Sequence, residues 1–158
     1  MHKTALTAAF TAAALTLIAA PAFAQSELDR LEVVSEAVAQ NMAAFLVARV
    51  PELADVMVDW EWDAEMREVA TCTMDRIRTE GGDQALTDYL DALEVFSTIE
   101  ITSIEQMGAA TPIPFSNDVA MQVATECRAM EVSARRMQES GMMEAMMDPA
   151  IMGRLMEE

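Results

Sequence analysis

The sequence predicts an all-α protein: a single small irregular bundle of four to six helices with one disulfide, after a cleaved signal peptide. Three observations lead to this fold class. Apolar residues recur at helical spacing through most of the chain, and there are only two cysteines. The N-terminus carries an apolar run that ends in small residues. A chain of 158 residues fits one domain with a modest core.

The first 24 residues have the organisation of a secretory signal peptide. His2 and Lys3 precede an apolar run, and Pro21 leads into A-F-A, so cleavage is expected after Ala24. The apolar run is short for a transmembrane anchor. We therefore divide the chain into signal peptide (1–24), helical bundle (25–141) and a Met-rich helical C-terminal segment of the same domain (142–158). The processed protein is expected to be periplasmic or secreted, with no membrane insertion after cleavage.

The charge of the chain narrows the choice of partners. The full chain has a formal net charge of −17, and Lys3, its only lysine, leaves with the signal peptide, as does His2, its only histidine. Such an acidic protein is a poor partner for nucleic acid or for anionic membrane surfaces. It suits another protein or a cationic or apolar client segment better, unless the charge serves solubility alone.

Cys72 and Cys127 are the two cysteines, and both fall in predicted helices. Two cysteines in an exported chain usually pair. A redox-active pair would need a C-x-x-C spacing or a feature that lowers the thiol pKa, and the sequence has neither. The pair is predicted to be a structural disulfide.

The first helix is predicted to begin at Ser26, with a hydroxyl cap and acidic residues in its first turn. It runs to Pro51, where a short helical turn follows. Its apolar stripe is Leu28, Leu31, Val34, Val38, Met42 and Phe45.

Residues 59–65 read D-W-E-W-D-A-E, which resembles the alternating oxygen ligands of a calcium loop. The glycine and glutamate that such a loop needs are replaced by Ala64 and Ala70. We therefore interpret the acidic residues as the start of the second helix, where they complement the helix dipole.

The second helix is predicted over residues 63–79 and ends at Gly81-Gly82. Asp83 then caps a third helix, whose apolar stripe is Leu86, Leu90, Leu93 and Phe96. Residues 97–102 are interpreted as a helical continuation or a turn rather than as an extended piece.

Prolines in T-P-I-P-F, residues 111–115, exclude a helix interior there and favour a stiff connector or an exposed recognition element. A long helix follows over residues 117–140, ended by Gly141. Its predicted core stripe is Ala120, Val123, Cys127, Met130, Ala134 and Met137. Two short helices complete the chain, Met142–Met147 and Pro149–Met156, the second capped by Asp148.

Several chemistries are excluded because the processed chain lacks His and Lys. These are Ser-His-Asp and Cys-His catalysis, Schiff-base chemistry and imidazole metal sites. Five glycines in all leave no room for a glycine-rich phosphate loop. A pair of carboxylates that hydrolyses cell-wall glycan remains as a distant option, but no single Glu stands out. No enzyme activity, catalytic residue or cofactor is therefore predicted.

Methionine is enriched at the C-terminal end. The members of the group are Met142, Met143, Met146, Met147, Met152 and Met156. Pairs at i, i+4 spacing would place their thioethers on one face. That face could pack into the core, dock a partner, or bind Cu(I) through Met142, Met143, Met146 and Met147.

These observations favour a small acidic exported helical protein that acts by binding, in a protein–protein adaptor or holdase-like role. The six C-terminal methionines are the hypothetical partner-binding residues. The alternative is a periplasmic Cu(I)-binding protein that uses the same cluster. No pattern in the sequence specifies an oligomeric state.

Overall fold

A computed structural model describes residues 20–109 and 117–157, and these ranges contain helices and no strand. The elements are α1 (Ala20–Arg49), a 3-10 helix (Pro51–Val56), α2 (Ala64–Ser97), α3 (Ile104–Ala109), α4 (Asn117–Glu126), α5 (Ala129–Ser140), α6 (Met142–Met146) and α7 (Pro149–Met156). The predicted all-α class is confirmed. The eight helical elements exceed the predicted four to six, mainly because α3 was not expected and the long C-terminal helix is broken. The predicted connector at 111–115 lies outside the described residues.

Helix α1 starts earlier than predicted, at Ala20 rather than at Ser26. Pro21 stands in its first turn, where its missing N–H would have had no intrahelical partner. The expected cleavage site after Ala24 lies within this helix and stays a prediction. By length and composition alone, Glu27–Arg49 is the one helical stretch in the described ranges that could cross a membrane. Its side chains Leu31 and Phe45 are buried in the bundle.

Helix α2 consists of two arms, residues 64–81 and 83–97, because the backbone leaves the helical region at Gly82 (φ 78°, ψ −179°). Met66 and Leu93, one from each arm, line the same cavity, whereas a continuous helix would separate them by about 40 Å. The chain therefore folds back at Gly82. The predicted break at Gly81-Gly82 is confirmed.

The core has two clusters, and α1 contributes to both. The first cluster joins α1 to both arms of α2 through Leu31, Val34, Trp62, Ala70, Met74, Ile77, Leu86, Leu90 and Leu93. The second cluster joins the end of α1 to the C-terminal helices through Phe45, Leu46, Val50, Leu53, Phe96, Ile101, Met142 and Leu155. The bundle is thus a helical hairpin packed on α1, closed at one end by α6 and α7.

The predicted single helix over residues 117–140 is wrong, because the chain breaks at Arg128 (φ 61°, ψ 14°). A left-handed backbone at a non-glycine residue is unfavourable by roughly 1 kcal/mol. Ion pairs from Arg128 to Glu131 (3.1 Å) and Glu65 (3.5 Å) hold the residue in place. Beyond the break, Val132 of α5 is buried, whereas Met130, which was expected in the core, is exposed.

The remaining connections follow the sequence more closely. The stretch after α2 is a turn, with Thr98 N–H donating to Val95 O (3.2 Å), so the alternative of a helical continuation is wrong. Gly141, in the left-handed region, ends α5 as predicted. The side chain of Asp148 accepts the N–H of Ala150 (2.7 Å) and caps α7, also as predicted.

Candidate binding site: a methionine–tryptophan cavity

A cavity of about 430 Å³ lies where the two core clusters meet. Trp62 and Leu93 in its wall belong to the first cluster, and Leu46 and Met142 belong to the second. Its volume falls within the range of small-ligand sites, which are typically about 300–1,000 Å³. We call this space the Met–Trp cavity.

The lining of the Met–Trp cavity is almost wholly apolar. Six methionines line it: Met42, Met57, Met66, Met107, Met137 and Met142. Both tryptophans of the protein, Trp60 and Trp62, line it as well. The remaining residues are Val38, Ala39, Ala43, Leu46, Val58, Leu93 and Ser35, which carries the single polar side chain. Long, polarizable thioethers allow such a wall to adapt to occupants of different shape.

One face of α1 forms the floor of this cavity. Four lining residues of α1 are spaced i, i+3, i+4 and i+7, which places them on the same side of the helix. They are Ala39, Met42, Ala43 and Leu46. The two alanines have the smallest side chains of this face. They leave open the space that a longer side chain would fill.

Arg136, on α5, holds the tryptophan segment against the bundle. Its guanidinium donates to the carbonyl oxygens of Glu61 (3.0 Å) and Asp59 (3.3 Å). It also pairs with Asp63 Oδ2 at 2.7 Å, and only 11% of its side chain is exposed. Trp60 and Trp62 alternate with the three residues that Arg136 contacts. The backbone that carries both rings is therefore held by a residue of a distant helix.

Asp63 is the N-cap of α2, and its side chain accepts the N–H of Met66 at 2.9 Å. That hydrogen bond, together with the charge of Arg136, lowers the pKa of the Asp63 carboxyl below its ordinary value. The interpretation of residues 59–65 as a helix start is confirmed. In the described part of the chain, no group of three or more His, Cys, Asp or Glu side chains is arranged to hold a metal ion.

The predicted disulfide joins Cys72 in α2 to Cys127 after α4, with a Cα–Cα distance of 5.6 Å. It ties the C-terminal half of the chain to α2. Glu65, at the start of α2, adds an ion pair with Arg135 of α5. These links position α5 so that Met137 reaches the wall of the Met–Trp cavity.

The C-terminal methionines do not share one exposed face. Met142 is 5% exposed and belongs to the second core cluster, and Met146 and Met152 pack against that cluster. Met147 and Met156 are 78% and 70% exposed, and Met143 is also on the surface. Of the six, Met142 alone lines the Met–Trp cavity. A partner would meet only the exposed ones directly, and the predicted roles of the six stay predictions.

Sequence reasoning missed Met42, Met57, Met66 and Met107 as site residues. They lie on different elements, and no local spacing relates them. A usable signal was the high total of 15 methionines, far more than the C-terminal cluster accounts for. A second signal was the W-x-W pattern of Trp60 and Trp62 beside the start of a helix.

No protein-family model matches this chain, and neither the curated proteins nor the solved structures provide a match. Function can therefore be inferred only from the geometry and chemistry of the site.

Proposed function

We propose that this is an exported binding protein without catalysis. It holds an apolar segment of another polypeptide in the Met–Trp cavity, in an adaptor or holdase-like role. The observation that carries the proposal is the lining: six methionines and both tryptophans around one cavity, with a single polar side chain. Flexible methionine surfaces are characteristic of proteins that accept varied apolar partners.

The expected compartment is consistent with this role. The paired Cys72 and Cys127 suit an oxidising environment, and the apolar N-terminal sequence suits export. Polypeptides that cross a membrane unfolded present apolar segments there. A small acidic protein with an adaptable apolar cavity suits the temporary holding of such segments.

The cavity can be tested directly because Trp60 and Trp62 are the only tryptophans of the protein. Energy transfer from them to the uncharged apolar fluorophore N-phenylnaphthylamine reports entry into the cavity. We expect saturable transfer in the wild type, and displacement of the fluorophore by a peptide with a leucine or phenylalanine anchor. A wild type that shows neither transfer nor displacement would overturn the proposal.

A blocking variant with a neighbouring control locates the binding. Ala43→Phe fills the space left by a lining alanine, whereas Ala44→Phe changes the next residue of α1, which is exposed and does not line the cavity. We expect weaker peptide binding for Ala43→Phe only. Circular dichroism checks that both variants fold. Unchanged binding by folded Ala43→Phe would contradict a site in this cavity.

The second candidate function is Cu(I) binding, favoured by the six thioethers around one cavity. A competition titration against a chromogenic chelator tests it. Leucine preserves most of the methionine volume, so Met→Leu pairs remove thioethers with little repacking. Loss of Cu(I) binding in Met42→Leu/Met66→Leu would assign the cavity, and loss in Met143→Leu/Met147→Leu would assign the C-terminal cluster. No competition by the wild type removes this candidate.

A further inference from the structure

An acidic depression adjoins the Met–Trp cavity. This second space, of about 360 Å³, shares Ala39, Ala43, Val58 and Trp60 with the cavity. Its other lining residues are Gln40 and three acids, Glu36, Asp59 and Glu61. The two spaces therefore lie side by side, one apolar and the other acidic.

The carboxylates of these three acids make no ion pair with any arginine in residues 20–109 and 117–157. Arg136 approaches Asp59 and Glu61, but it donates to their backbone carbonyls and directs its charge to Asp63. Asp59 Oδ1 accepts the N–H of Glu61 at 2.9 Å, which leaves its negative charge uncompensated.

The arginines of the chain are committed elsewhere. All of them form ion pairs within the described ranges except Arg49. Arg49 donates to the carbonyl of Thr102 (3.1 Å) and lies over the ring of Phe45. No arginine in residues 20–109 and 117–157 is therefore available to neutralise the acidic side of the site, and a cationic ligand would supply the missing charge.

We propose that the segment bound in this site is basic: a large apolar side chain enters the Met–Trp cavity, and a Lys or Arg within one helical turn lies against Glu36, Asp59 and Glu61. This inference rests on the proposed function and names its partner class. Trp60 lines both spaces, so its ring is placed to contact the apolar anchor and the neighbouring cation. An acidic segment with the same anchor would be repelled by the three carboxylates and by the net charge of the whole protein.

A set of matched peptides tests the charge requirement. Each carries the same phenylalanine anchor, and the flanking positions are Lys in one peptide, Gln in the second and Glu in the third. Binding is followed by tryptophan fluorescence and by displacement of N-phenylnaphthylamine. We expect affinity in the order Lys, Gln, Glu, with about tenfold between Lys and Gln at low ionic strength. The ratio between the affinities for the Lys and Gln peptides should fall to about twofold near 0.5 M salt, where surface charges are screened.

A triple variant locates the charge effect. Glu36→Gln/Asp59→Asn/Glu61→Gln removes the three charges and keeps oxygen acceptors, including the one for the Glu61 N–H. It should lower the affinity for the Lys peptide to that for the Gln peptide. The control is Asp88→Asn/Glu100→Gln/Glu144→Gln, which removes the same charge from exposed acids that do not line either space. The control variant should retain most of the preference for Lys.

The possible outcomes separate this inference from the proposed function. Equal displacement by all three peptides would overturn the basic partner and leave apolar segment binding in place. An equal loss of preference in both triple variants would also overturn it, because the effect would then come from net charge alone. If the fluorophore enters but no peptide displaces it, the cavity takes small molecules and both proposals fail. If the protein is a dimer in solution and peptides bind only to monomer, a second copy is the occupant and both proposals fail.

Discussion

Arg136 of α5 forms an ion pair at 2.7 Å with Asp63, the residue that caps the N-terminus of α2. The same guanidinium holds the carbonyls of Asp59 and Glu61. One nearly buried arginine thus fixes the backbone on which both tryptophans of the cavity stand. Its contacts make the shape of the site depend on the C-terminal half of the chain.

Replacement of Arg136 by alanine should loosen the tryptophan segment. We expect a loss of about 2 kcal/mol in the free energy of unfolding, because hydrogen bonds from a charged donor are removed from a nearly buried position. Urea unfolding measures the loss, and a red-shifted tryptophan emission would show the change in the cavity. Arg135→Ala is the control: its side chain is 43% exposed, so its ion pair should contribute less than about 1 kcal/mol. Equal effects of the two variants would contradict the special role of Arg136.

The lowered pKa of Asp63 predicts a specific loss of stability in acid. A carboxyl whose pKa is lower in the folded state stabilises the fold above its unfolded value of about 3.9, and this stabilisation disappears as the pH falls through the folded value. Asp63→Asn keeps an acceptor for the Met66 N–H and has no charge to titrate. The melting temperature of the wild type should therefore fall toward that of Asp63→Asn between about pH 5 and about pH 2. A constant difference over that range would contradict the assignment.

Gly82 should resist substitution because its φ of 78° is unfavourable for any residue with a Cβ. Gly82→Ala is expected to lower the free energy of unfolding by about 1–2 kcal/mol. Gly153→Ala is the matched control: it lies inside α7, and apart from its neighbours and the backbone of its own helix nothing lies within 4 Å of the position of an added Cβ. That variant should be neutral or slightly stabilising, since alanine favours helix by up to about 1 kcal/mol over glycine. If Gly82→Ala had the same free energy of unfolding as the wild type, the fold would not require a left-handed backbone at this position.

Loss of the disulfide should destabilise the protein by about 4 kcal/mol in the chain-entropy model, because the bond closes a loop with a sequence separation of 55 residues. The comparison is between wild type, reduced wild type and Cys72→Ala/Cys127→Ala in urea unfolding. We expect the last two to agree. Thiol titration of the exported protein under denaturant provides an independent check, and two free thiols would contradict the pairing.

The sequence predicted helices well where one apolar stripe meets one neighbour. Leu86, Leu90, Leu93 and Phe96 are all buried as expected, and Asp148 caps α7 as predicted. The cysteine pairing followed from the count of two and the expected export. The apolar stripes and the caps depend on neighbouring residues, and two cysteines allow only one pairing. These features can therefore be predicted from a single sequence.

The break at Arg128 and the Met–Trp cavity could not be predicted in this way. A left-handed backbone is uncommon at a non-glycine residue, and Glu65, one of the two ion-pair partners of Arg128, is far away in the chain. Helical spacing shows which face of α1 is apolar, but not that two small residues, Ala39 and Ala43, will face methionines from other elements. A cavity results from the convergence of several faces, so it requires tertiary structure.

The second core cluster contains both Phe45 and Leu155. A chain that emerges from its synthesis or transport machinery N-terminus first cannot complete the cluster around Phe45 until α7 has also emerged. Up to that moment the protein presents the same kind of apolar surface that it is proposed to hold in others. Closure of this hydrophobic surface therefore depends on α7, and a chain that lacks α7 remains recognisable to quality control.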